Sequence, residues 1–266
     1  WGSAFLWIAI GLDALAPGVV AWLRMVLGAS ALLLFPRSRR RIERADWSGI
    51  AIIAIAGNAA PALLFAVAEQ KLDSAVAGMI TSATPVATLV LAFSLGNRVV
   101  TRGQVSGLIA GFIGVLAMAV PDVLGANAPV AEVGLVLLAV LGYATVNNVV
   151  VPLQQRYGAL VVVAHAQVLA ALMLTPFGLV GLRSSEFDLG PVMAVVFLGI
   201  VGTGFSRVLS ATLVGRVGPQ RGSVVAYFVP TVAIVLGVMV RDESIEAIQI
   251  VGLGFVLVGA ALISRR

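Results

Sequence analysis

A chain of 266 residues that is 60% hydrophobic and only 11% charged, with a mean hydropathy of +1.08, lies far from the roughly 45–50% apolar and about 25% charged make-up of soluble domains, and reads as an integral membrane protein. Its net charge of +5 does not point to nucleic acid, because the basic residues are almost all arginines in the short gaps between apolar segments, which is how charge sets membrane topology. The absence of cysteine excludes a disulfide framework, a thiolate zinc site and a cysteine nucleophile; one histidine excludes a histidine-rich metal site, so no cofactor is expected.

Hydropathy places ten spans at approximately 1 to 16, 18 to 36, 47 to 69, 75 to 95, 104 to 121, 132 to 153, 160 to 182, 191 to 214, 220 to 240 and 246 to 264. The chain opens at Trp1 without a methionine and its first apolar run is short, which predicts a first helix clipped at its amino end. Short connections make neighbouring spans antiparallel. The gap after span two carries Arg37, Arg39, Arg40, Arg41 and Arg44 and is therefore expected in the cytoplasm. On that assignment twelve Lys or Arg fall inside and three, Lys71, Arg183 and Arg241, fall outside, while Arg24 and Arg207 lie within spans. Both termini are then cytoplasmic.

Displacing the sequence by 145 positions superposes spans three to five on spans eight to ten: Gly57 meets Gly202, Pro85 meets Pro230, Gln104 meets Gln249, Gly107 meets Gly252 and Gly114 meets Gly259. A shift of 140 relates spans one and two to six and seven, with Gly18 on Gly158 and Pro36 on Pro176. The expected fold is all-α and polytopic, with residues 1–121 forming one five-helix repeat, 122–131 an external linker and 132–266 the second repeat. Five being odd, the second copy is inverted, an arrangement that sets a binding site near the midplane between repeats.

Pro85 and Pro230 sit in matching apolar stretches, TSATPVATLVL and AYFVPTVAIVL. Each proline lacks a helical donor and crowds the carbonyl four residues back, at Thr81 and Ala226. Freed carbonyls at bilayer depth need a cavity or a neighbour. Hydroxyls precede the first proline (Thr81, Ser82, Thr84) and aromatics the second (Tyr227, Phe228).

The opening WGSAFL, Pro17 followed by AWLRMVLGA, the two proline-centred spans, and QxxGxxxxxxG at 104–114 and again at 249–259 together resemble the drug/metabolite transporter superfamily, in particular its EamA-like members. The resemblance covers essentially the whole chain and implies two five-helix repeats and secondary transport of small metabolites, often export. One departure is Ala164 in the second copy where the first has Arg24.

Among single residues Arg207 is the most informative, because a charge deep in a span costs about 2.5–3.5 kcal/mol unless paired or hydrated. Its expected partners are freed carbonyls, water or an anionic substrate group; snorkelling to the interface is the competing reading. Arg24 is expected to pair with Glu69 or Asp13 at the outer end, with a gate as the alternative role. Ser3, Trp7, Asn58, Thr81, Ser82, Pro85, Tyr143, Asn147 (beside Asn148), Thr203, Arg207, Tyr227 and Pro230 are the expected cavity residues, although interhelical hydrogen bonding explains each polar one singly. His165 reads as a packing residue, with proton sensing as the alternative. Gly107 and Gly111 form GxxxG, for internal packing or a homodimer face.

Paired carboxylates and a nucleophile with its base are missing, so an enzyme is not expected. The expected partners are the lipid bilayer and a small-molecule substrate, with amphipathic metabolites such as amino acids favoured. A cationic-drug exporter, or a non-transporting sensor or scaffold, is the alternative.

Overall fold

The computed structural model describes residues 1–94, 102–124, 130–217 and 228–264. Among these there are ten helices: α1 (Ala4–Leu12), α2 (Pro17–Leu33), α3 (Arg44–Ala68), α4 (Ser74–Ser94), α5 (Arg102–Leu124), α6 (Val130–Tyr157), α7 (Ala159–Gly181), α8 (Leu189–Val217), α9 (Phe228–Arg241) and α10 (Ala247–Ser264). Helices α3, α4, α6 and α8, together with α7 and its following turn, are long and apolar enough to cross a membrane. The expected order and type of elements are met. Helix α1 is shorter than its apolar run, nine residues or about 14 Å of rise. Pro17 at the first position of α2 needs no donor there and sets the turn between the two.

The kink expected at Pro85 is present. Helix α4 breaks between Thr81 and Thr84, and the Thr84 hydroxyl donates to the Thr81 carbonyl at 2.6 Å. The oxygen that the proline cannot serve is thus satisfied by the side chain immediately before it. Ser82 and Thr81 donate in the same way to the carbonyls of Met79 and Ala77. Ala226 and Tyr227, on the corresponding stretch before Pro230, lie outside the described residues.

Packing pairs helices with their sequence counterparts: α2 lies on α7, α4 on α9, and α5 on α10, while α1 against α8 repeats the contact of α6 against α3. The α5–α10 contact is glycine-built. A Cβ on Gly114 would run into the carbonyl of Gly252, and one on Gly252 into the carbonyl of Gly114, so the two backbones touch. Gly259 meets Gly107 and Gly111 in the same way, which means the GxxxG face is used inside the molecule.

Charged contacts divide between two ends. At one end Asp13 pairs with Arg241 (2.7 Å), Lys71 with Glu132 (2.9 Å), and Glu243 accepts from the Ser74 and Ala75 amides at the start of α4. At the other, Arg156 pairs with both Glu43 (2.6 Å) and Asp46 (2.7 Å), and the Tyr157 hydroxyl donates to Asp46. Among the described residues, gaps expected on one side of a membrane are therefore joined to one another by these charged contacts.

Candidate functional site

Two helices lose regular winding at equivalent places. In α3 a π turn covers Ile55–Ala59, and in α8 a longer one covers Leu198–Phe205. The displacement of 145 carries the first into the second, with Asn58 falling on Thr203. Such turns widen a helix and leave backbone groups free for other partners, and they concentrate at functional sites. The Asn58 amide serves its own turn, donating to the Ile53 carbonyl at 2.9 Å. The Thr203 turn is held from outside: Gln167 of α7 donates to its carbonyl (3.0 Å) and Arg24 of α2 donates from Nε to its hydroxyl (3.1 Å).

Between these helices is a cavity walled by every described helix except α5 and α10. It leaves about 90 Å³ to the centres of water-sized molecules, room for several waters. Arg207, Ser210, Ala211 and Val214 line it from one face of α8, at the i, i+3, i+4, i+7 spacing of a helix stripe. Tyr143, Val146, Asn147 and Val150 do the same from α6. The Arg207 guanidinium carbon lies 4.6 Å from the centre of the Tyr143 ring and 5.2 Å from that of Trp1, both within cation–π range. Trp1 and Tyr143 are nearly parallel, 6.4 Å apart, and Phe65 and Phe5 continue the aromatic wall beyond Tyr143. Arg207 Nε is buried without a hydrogen-bond partner.

Arg24 faces the same cavity. The expected close pairing with Glu69 or Asp13 is corrected: Asp13 is held by Arg241, and Glu69 acts on Arg24 only through space, both its carboxylate oxygens being buried without a hydrogen-bond partner and no ion pair of Arg24 occurring among the described residues. The reason is packing. Close contact of Gly28 with Gly199 and Gly204 lays α2 on the π turn of α8, which turns Arg24 toward Thr203 and away from the helix ends. Its Nη1 is buried and unpartnered.

Asn58, Thr81, Tyr143, Asn147, Arg24 and Arg207 therefore share one cavity, and Thr203 sits directly behind Arg24. Asn147 also donates to the Thr88 hydroxyl at 3.3 Å. Ser82, Pro85 and Pro230 are buried outside the lining; Ser3 is half-buried and also outside it. Trp7 packs on Phe197, with ring centres 5.0 Å apart, and is not part of the lining. Glu69 closes α3 away from the lining, and Tyr227 and the Phe228 side chain lie outside the described residues. His165 is remote as well: it contacts Trp47 edge-on and its Nδ1 lies 2.9 Å from the Val161 carbonyl, which suits the packing reading. Thr84, one of the hydroxyls expected before Pro85, lines the cavity as well, and Trp1, Phe5, Phe65 and Ser210 are lining residues absent from the expected set. Ser210 was findable by stepping three positions along the helix from Arg207.

Comparison with known proteins agrees with this architecture. A transporter of Archaeoglobus fulgidus, itself named as uncharacterized, is 25% identical over 266 residues, covering 100% of this chain and 95% of its own length. The inner membrane transporter YedA of Escherichia coli is 25% identical, with 99% and 87% of the two chains covered. A protein of Salmonella typhimurium named as a probable amino-acid metabolite efflux pump is 22% identical, with 97% and 89% covered. A solved crystal structure superposes with a TM-score of 0.66 at 16% identity, over 98% of this chain and 93% of the other, which shows the fold. The model of the EamA-like transporter family matches residues 1–120 and 131–265, and the chain belongs to that family of membrane transporters.

Proposed function

We propose that the protein is a secondary transporter of small, carboxylate-bearing organic metabolites, amino acids among them, working by alternating access in the direction of export from a prokaryotic cell across its inner membrane. The observation that carries this reading is Arg207, a cation with an unpartnered Nε held against Trp1 and Tyr143 in a cavity at the meeting of the two halves. Guanidinium groups match carboxylates in geometry and charge, and the aromatic wall suits an apolar body. Both termini and the arginine-rich gap after α2 are assigned to the cytoplasm on the distribution of positive charge. Rocking residues 1–121 against 132–266 then alternately opens the Arg156–Glu43–Asp46 end and the Asp13–Arg241 end.

The relatives named as amino-acid metabolite efflux pumps and as inner membrane transporters support direction, substrate and location. A cation exporter would be expected to present an acid to its cavity, and none of the described lining residues is Asp or Glu. The test is substrate uptake into proteoliposomes, screened over amino acids and organic cations with wild type and Arg207→Ala. Transport of a carboxylate that is lost in the variant supports the reading. Transport that survives unchanged overturns it.

A further inference from the structure

The cavity holds two arginines, and neither makes an ion pair or a hydrogen bond with an acid among the described residues. Arg24 enters from α2 and Arg207 from α8, residues separated by 183 positions in sequence and brought to one lining. Arg24 is only 5% exposed; its one described side-chain bond is to the neutral Thr203 hydroxyl, and Nη1 faces no acceptor. Arg207 likewise keeps a buried, unpartnered Nε and is flanked by rings instead of carboxylates. A guanidinium does not deprotonate under ordinary conditions, so both positive charges persist in the cavity. Glu69 attracts Arg24 through space, but its carboxylate oxygens have no hydrogen-bond partner and it is not part of the lining.

Two cations on one lining, Arg24 buried and Arg207 half-buried, with no ion pair among the described residues, make a costly arrangement that an incoming anion relieves. The same surroundings offer little to a substrate cation. Among the described lining residues the acceptors are neutral: the Asn58 side-chain carbonyl is buried without a partner, beside threonine hydroxyls already donating to α4 carbonyls. An ammonium group would thus sit near two like charges with no carboxylate to receive it.

We propose that Arg24 and Arg207 together form a two-guanidinium site for an amphipathic organic anion: a carboxylate held between the arginines, an aromatic or apolar body against Tyr143, Phe65 and Phe5, and no free ammonium group. This rests on the cavity being the substrate site, and narrows the substrate from carboxylates in general to those with net negative charge. Zwitterionic amino acids become weaker ligands than the same skeleton without its amine or with that amine acylated.

The test is equilibrium binding to the purified, detergent-solubilised full chain, using 3-phenylpropionate, N-acetylphenylalanine, phenylalanine and 2-phenylethylamine, which vary charge on one phenyl skeleton. The two anions are expected to bind roughly tenfold or more tighter than phenylalanine, with the amine weakest. Arg24→Gln and Arg207→Gln should each weaken the anions by about tenfold or more, Arg207→Lys should recover part of the loss, and the exposed Arg183→Gln should leave binding as in wild type. If Arg24→Gln fails to fold, Arg207→Gln, which leaves the Arg24–Thr203 bond in place, carries the test. Phenylalanine binding as tightly as 3-phenylpropionate, with arginine dependence intact, overturns the net-anion inference and leaves the carboxylate-transporter reading standing. Carboxylate binding indifferent to both arginines overturns the two together. Failure of both anions to bind while amino acids are transported overturns the inference alone.

Discussion

Arg24 and Thr203 are joined across 179 positions by a 3.1 Å hydrogen bond from the guanidinium Nε to the threonine hydroxyl. The bond ties a helix of the first half to the π turn of a helix in the second, and Gln167 holds the carbonyl of the same threonine. Its counterpart in the first half, Asn58, secures its turn with its own side chain. The two halves keep the turn and differ in how it is fastened: the α8 turn draws side-chain hydrogen bonds from α2 and α7, and the α3 turn draws one from its own Asn58.

Thr203→Val is the cleanest probe of the α8 fastening. Valine keeps the shape of a side chain that is fully buried and removes the acceptor, leaving Arg24 Nε unsatisfied. An unsatisfied buried donor costs about 1–3 kcal/mol. Thermal unfolding in detergent should show Thr203→Val several degrees below wild type and Thr203→Ser close to it. Equal behaviour of the two variants would mean that the hydroxyl contributes nothing.

The helices, their order and the internal repeat were legible because each is written in composition and spacing: apolar runs, arginine gaps, and glycines and prolines recurring at fixed displacement. Arg207 was legible for the same reason, being a lone charge in an apolar run. Arg24 was visible but its partner was not. Two acids near the same helix end, Glu69 and Asp13, made an ion pair the natural expectation, whereas the outcome is decided by α2 packing against α8 through Gly28 and Gly199. Ala4, Phe5 and Ile8 form the cavity face of α1 while Trp7 turns to Phe197. Nine helical residues give too few turns for periodicity to choose between those faces. The π turns could not be read at all, since glycine-containing apolar sequence wound with one extra residue looks the same as regular helix.

Glu243 should matter to α4 more than its place in a connection suggests. Its carboxylate accepts from the Ser74 amide (3.0 Å), the Ser74 hydroxyl (2.6 Å) and the Ala75 amide (2.8 Å), satisfying donors that open every helix. Removing such a cap costs about 1–2 kcal/mol. Glu243→Ala should lower the unfolding temperature, and Glu243→Gln, with one acceptor retained, should fall between Ala and wild type. Amide exchange at Ser74 and Ala75 should speed up in the same order. Unchanged exchange would show the cap to be dispensable.

The membrane orientation can be tested directly, because a chain without cysteine permits single-cysteine labelling with no background. Ala45 and Arg183 are both exposed, the first in the opening turn of α3 and the second in the connection after α7. The charge distribution expects the first in the cytoplasm and the second outside. In intact cells a membrane-impermeant maleimide should therefore modify Arg183→Cys at once and Ala45→Cys only after lysis. The reverse pattern would invert the topology, and with it the assignment of which end of the cavity opens to the cytoplasm.

Asp73 precedes α4 as its N-cap but makes no capping hydrogen bond with its side chain, since Glu243 occupies the amide donors. Partial burial and then the like charge of Glu243 raise its pKa above the ordinary aspartate value, with Arg241 opposing. For a carboxyl whose folded pKa is raised, the native state binds the proton more tightly. Its stabilising contribution is complete below the unfolded pKa of about 3.9 and disappears as pH rises through the folded value. Asp73→Asn removes that titration. The variant should unfold at a higher temperature than wild type at neutral pH, with an advantage that shrinks to nothing as the two are compared at pH values approaching about 4. A neutral-pH loss of stability in Asp73→Asn would instead mean that the charge favours the start of α4, and that attraction to Arg241 and to the helix N-terminus outweighs repulsion from Glu243.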